Sequence, residues 1–244
     1  MKKINYWYKD DETNEIISSP KYGSYIKDKI NNKYFHSSKF VNYGLKQMNM
    51  RVVDYFLYFF VLLTLVLYVF DFITFFVSKN YEIDNNLVKI VQSILFLLIN
   101  IVLHELGHAT ILKIYGRKVG KVKFKMNFIF PTVCVDTSDS YILPRFRRLF
   151  VYVYGLVVNV ILMSIVILFF PKYTYVNSFI LINVLLNFLP NGAIKTDGYH
   201  IWINIIFNVN DYKYRKNKLF IIIKFTFYFI CFIMILATFC KLIW

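Results

Sequence analysis

Apolar residues in this chain come in long blocks. Leu149 to Pro171 runs 23 residues without a charge, and Tyr173 to Ile194 runs 22. Tyr55 to Phe70 gives 16 more, continued by Phe72 to Ser78 after Asp71. Phe225 to Cys240 gives another 16, and Leu219 to Ile223 extends it across Lys224, whose long side chain can reach back to the interface. Ile90 to Leu103 is 14 uncharged residues, followed at once by His104 and Glu105. A helix needs about 20 mostly apolar residues to cross a bilayer. The pattern predicts five membrane spans, near residues 54–78, 88–114, 149–171, 174–198 and 219–243. Pro190, Asn191 and Gly192 should break the fourth. The expected fold class is an all-α polytopic membrane protein, divided into a basic segment 1–53 and a membrane domain 54–244.

Two polar stretches carry other signals. Tyr25-Ile26 and Tyr34-Phe35 flank Asn31-Asn32, which suits a hairpin turn; the alternative is a flexible basic tail on anionic headgroups. The 115–148 link, with Pro131 and alternating Val122, Phe124 and Met126, reads as one or two strands. No apolar leader is expected, because the first 50 residues are polar.

Composition supports the membrane reading. The chain has 244 residues, 58% hydrophobic and 20% aromatic, with a mean hydropathy of +0.50. An ordinary soluble domain is about 45–50% apolar. Three Cys exclude a disulfide scaffold. The net charge of +15 suits either nucleic acid or an anionic membrane face. Placement decides for the membrane. Lys and Arg number ten in 1–53, one in 79–87, eight in 115–148, one in 171–173 and four in 199–218. That alternation puts the N-terminus and both basic links in the cytoplasm and the C-terminus outside. The expected localisation is multi-pass in the cell membrane, with the lipid bilayer as partner and no nucleic acid.

His104-Glu105-Leu106-Gly107-His108 is an H-E-x-x-H match inside the second span. Residues at i and i+4 share a helix face, so two imidazoles can hold one Zn2+. Glu105 then stands beside the metal, placed to take a proton from water. Four His and four Glu in the chain would supply this pattern by chance about once in a thousand such sequences. A catalytic zinc needs a third protein ligand. No Glu follows Glu105, and Ile111 and Ile114 replace the Gly and His of the longer H-E-x-x-H-x-x-G-x-x-H pattern. The downstream candidates are Asp136, Asp139, Asp197, Asp211 and His200. His104 lies about 24 Å along its span, toward the cytoplasmic end. Asp136 and Asp139 sit in the basic link, and Asp211 lies well beyond the fourth span. A broken fourth span facing a polar cavity can return Asp197 to the level of the histidines, with His200 as the alternative ligand.

H-E-L-G-H in one span, with Asn187-Phe-Leu-Pro190 and Asp197-Gly198 in a later one, resembles the site-2 protease family of intramembrane zinc metalloproteases. The stretch Cys134 to Arg148 resembles that of bacterial peptide zinc metalloproteases, a subgroup associated with bacteriocin or modified-peptide maturation and export. Gly155 and Asn159 stand where the family often has Gly-Pro-x-x-Asn, with Leu156 in place of the proline. The likeness covers roughly residues 98–203. It implies His104, His108 and Asp197 as zinc ligands and Glu105 as general base and acid. It also implies an Asn187 that faces substrate; an interhelical or capping hydrogen bond is the equal alternative. Gly107 permits close helix approach. Asp136 and Asp139 fit a turn or cap.

The sequence therefore points to a zinc endopeptidase acting on a membrane-inserted or membrane-associated peptide or protein. A non-catalytic membrane component of a peptide export or immunity system is the alternative. A zinc transporter would need more polar residues along its spans.

Overall fold

The computed structural model describes residues 6–19, 23–37, 39–40, 44, 46–77, 87–127, 130–169, 180–181, 183–184, 187–188, 196–206 and 218–243. Its N-terminal part overturns the all-α expectation. Strands β1 (Tyr6–Asp10), β2 (Asn14–Ser19), β3 (Gly23–Asp28), β4 (Lys33–Ser37) and β5 (Lys46–Met48) form one antiparallel sheet, ordered β4-β3-β2-β1-β5. Aromatic Tyr6, Trp7 and Tyr8 and β-branched Ile16 and Ile17 favour extended backbone on a half-covered surface. The β3–β4 turn falls at Asn31-Asn32. Asp28 accepts the amide hydrogens of Ile30 and Asn31 at 2.9 and 3.0 Å, and Asn32 adopts a left-handed φ of 50°.

Five helices follow among the described residues: α1 (Val52–Val77), α2 (Leu87–Ile114), α3 (Arg145–Phe169), α4 (Asp197–Ile206) and α5 (Lys218–Ile243). Three contain segments long and apolar enough to cross a membrane: Val52–Thr74, Ile94–Ile114 and Arg145–Phe169. The shortest has 21 residues, or about 31 Å of helix, against about 30 Å of bilayer hydrocarbon. α5 contributes an apolar stretch at Ile221–Ile230. Most of the expected fourth span, with Pro190, Asn191 and Gly192, lies outside the described residues, as do Lys79, Lys172 and Lys213. Between α2 and α3, strands β6 (Val122–Asn127) and β7 (Phe130–Val135) pair as a hairpin, and a 3-10 turn covers Ser138–Ile142.

α3 is the central helix. Its Tyr152, Leu156, Val160 and Met163 pack on Ile180, Leu181, Val184 and Ile201. Its Phe150 and Val151 pack on Leu57 of α1 and on Ile111 and Leu112 of α2. A Cβ at Gly107 would stand 2.9 Å from the Tyr154 carbonyl oxygen, so glycine there lets α2 approach α3. Phe56, Phe59, Leu62 and Val66 on α1 remain exposed, an apolar face suited to lipid. Where the helices meet the link, buried Asp54 accepts Arg147 Nη2 at 2.8 Å and the Tyr115 hydroxyl at 2.9 Å.

The sheet is fastened to that link by ions. Glu15 accepts Arg117 Nη1 on both carboxylate oxygens, at 2.9 and 3.1 Å. Asp139 pairs with Lys27 and accepts the Tyr34 hydroxyl at 2.9 Å and the Lys118 amide at 3.0 Å. Burial pushes the Asp139 carboxyl up. Lys27, the Lys118 amide, Arg117 and Tyr34 outweigh it and hold the group below the usual carboxylate range. The Tyr34 phenol is pushed well above its ordinary value by burial and by its bond to Asp139.

Candidate metal centre

The i, i+4 spacing puts His104 and His108 on the face of α2 that meets α3, and both are buried. Asp197, the first residue of α4, reaches the same point. His104 Nε2 lies 2.8 Å from Asp197 Oδ2, and His108 Nε2 lies 3.1 Å from that oxygen. The two Nε2 atoms are 3.2 Å apart.

Hydrogen bonding fixes what these atoms can do. His108 Nδ1–H donates to the Val151 carbonyl at 2.5 Å, since a carbonyl can only accept. In the neutral imidazole this leaves the lone pair on Nε2, the atom that a metal-ligating histidine offers. Around tetrahedral zinc, ligand atoms at about 2.0–2.1 Å stand about 3.3 Å apart. The observed separations of 2.8, 3.1 and 3.2 Å match that spacing closely enough for the donor set to fit zinc. Gly155 makes the room. A Cβ there would stand 2.6 Å from His108 Cε1 and Nε2 and 2.7 Å from His104 Cε1.

Glu105 projects beside this pair. One ligand-type atom from each of His104, Glu105 and His108 lies within 4.8 Å of the others. Glu105 Oε2 accepts the Val135 amide of β7 at 2.7 Å, which aims the carboxylate. Asn187 Nδ2 donates to Asn183 Oδ1 at 2.8 Å, and Asn183 Nδ2 donates to Asn100 Oδ1 at 3.1 Å. Asn100 sits one turn before His104, so this amide ladder leads toward the cluster.

The other candidates lie elsewhere. The His200 ring stacks on Tyr152 at 4.7 Å. Asp136 accepts the Ser138 amide at 3.0 Å and the Ser138 hydroxyl at 2.6 Å, a local turn. Asp139 belongs to the sheet contact. Asp211 lies outside the described residues. Leu156 is a core residue, and Asn159, one turn after Gly155, is fully buried. Sequence reasoning passed over the Val151 carbonyl and the Val135 amide, and it named Gly155 only as part of a family pattern, without the room it gives both histidines. Only the glycine leaves a mark in the sequence.

The elements and the site together describe a chain of apolar helices with a His-Glu-His cluster at their junction and an aspartate closing it. Among curated proteins it is similar to the Bacillus subtilis (strain 168) protein named "Putative peptide zinc metalloprotease protein YydH", 27% identical over 237 residues and covering 89% of each chain. No protein-family model and no solved structure matches it.

Proposed function

We propose that this chain is an intramembrane zinc endopeptidase that hydrolyses a peptide bond in a membrane-inserted or membrane-associated peptide or protein. The carrying observation is the convergence of His104 Nε2, His108 Nε2 and Asp197 Oδ2 within 3.2 Å of one another. In this reading those residues are the zinc ligands. The name of the Bacillus subtilis relative supports the metalloprotease class. Zinc in such a site polarises a carbonyl and makes water a competent nucleophile near neutral pH.

The chain's own residues do the rest. Glu105 takes the proton of the attacking water and delivers it to the leaving amine. The Val135 amide orients that carboxylate. Val151 holds His108 in the tautomer that exposes Nε2. Asn187, at the end of its amide ladder, faces the substrate backbone. β7 supports strand addition as the mode of binding. Val135 turns its amide to Glu105, away from β6, and strand alternation puts Val133 on the same edge. An extended peptide on that edge runs past Glu105 with its backbone unwound for attack. Residues 1–53 and both basic links lie on the cytoplasmic side, and the C-terminus lies outside.

A non-catalytic scaffold of the same fold has no use for Glu105 aimed beside the histidines, and its position favours hydrolysis. The test is reconstitution in liposomes with a synthetic library of single-span peptides, read by mass spectrometry. Cleavage should stop with a chelator and return with zinc. Zinc-independent cleavage, or none with any peptide, contradicts the reading.

A further inference from the structure

The N-terminal sheet covers the start of α3, and a second polar site lies in that seam. Arg148 is 1% exposed, one turn before Val151 and Tyr152. Its Nη2 donates to the Leu143 carbonyl at 3.1 Å, and its guanidinium lies 4.6 Å from the centre of the Tyr25 ring. Nε and Nη1 are buried with no hydrogen-bond partner among the described residues. The carboxylates of the sheet–link contact are occupied: Glu15 by Arg117, Asp139 by Lys27, Tyr34 and Lys118, and Asp136 by Ser138 and Lys123. A guanidinium is always charged, and a buried charge without a counter-charge is costly.

Arg148 also borders a hollow of about 10 Å3, walled by the sheet at Ser18, Ser19, Gly23 and Tyr25. Ser19 Oγ is a second buried group with no partner among the described residues. The hollow has room for about one oxygen-sized atom, which a flat carboxylate fills with less bulk behind it than a tetrahedral phosphate. A carboxylate answers both groups at once, by ion pairing with the guanidinium and by accepting the Ser19 hydroxyl.

We propose that Arg148 and Ser19 form a binding site for a single carboxylate group at the seam between the N-terminal sheet and α3. The carboxylate comes from a small free acid or from the terminus or side chain of a peptide. The proposal does not depend on the peptidase reading.

The test uses the full chain in detergent micelles, with ionic strength held constant as sulfate is replaced by acetate. The midpoint of thermal unfolding should rise by about 2–4 °C at saturation, because ligand binds only the folded chain. Arg148→Met should abolish the response. Ser19→Asp supplies the carboxylate from within; it should raise the acetate-free midpoint and remove the acetate response. A short peptide with a free C-terminus, its amide, and an amidated peptide carrying one Glu then separate the sources. Stabilisation by the first alone assigns a peptide terminus, by the first and third any peptide carboxylate, and by acetate alone a free acid. A wild-type midpoint indifferent to acetate and peptides, or a Ser19→Asp midpoint below wild type, overturns the proposal.

Discussion

His108 joins three elements: α2 carries it, Val151 of α3 fixes its tautomer, and Asp197 of α4 faces its free nitrogen. Gly155 decides whether both imidazoles fit. Gly155→Ala should gain up to about 1 kcal/mol of helix propensity, yet its methyl group would stand 2.6 Å from His108. Zinc affinity should fall by about 10-fold or more, measured by chelator competition, with little loss of thermal stability. Unchanged affinity would mean the histidines have slack. Asp197→Ala should strip the zinc and His200→Ala should keep it, read as metal per purified chain. The reverse result assigns the third ligand to His200. The histidine pair was legible because helix geometry turns i, i+4 spacing into a shared face. The Val151 carbonyl and Val135 amide were not legible, because backbone groups leave no trace in side-chain identity.

Among elements, the N-terminal sheet was the least legible. Its strands run three to six residues and carry charges, such as Lys9 and Asp10 in β1 and Lys27 and Asp28 in β3. One covered face needs only alternate apolar positions, and here part of that face is ionic. Lys27 and Glu15 are buried because they meet Asp139 and Arg117 of the link, a partnership set by tertiary contact. Only the turn at Asn31-Asn32 announced itself. The pairing predicts a pH dependence. Asp139 has a lowered pKa in the fold, so its stabilisation is present at neutral pH. It begins to fade below about pH 4, the ordinary carboxylate value, and is lost as pH falls through the folded value. Asp139→Asn should cost about 1–3 kcal/mol at pH 7 and progressively less below pH 4, followed by Trp7 fluorescence in urea. An equal cost at both pH values would show that the carboxylate charge does not fasten the sheet.

At the scale of the whole molecule, hydropathy located the helices well. α1, α2, α3 and α5 begin and end within four residues of the expected spans. Long apolar blocks are read without knowing what they pack on, which is why they survive a one-dimensional reading. The all-α class failed for the opposite reason, since strands need a partner surface. The charge alternation predicts that reporter fusions after Lys79 and after Lys213 fall on opposite sides of the membrane. Signals from one side for both would refute that topology.

The central claim is that Glu105 does chemistry at a zinc held by His104, His108 and Asp197, and Glu105→Gln tests it most directly. Gln keeps the size of the side chain and an oxygen for the Val135 amide, and removes the base. The variant should keep close to one zinc per chain, while cleavage of a reconstituted peptide substrate falls at least about 100-fold. Full cleavage by Glu105→Gln would contradict the peptidase account.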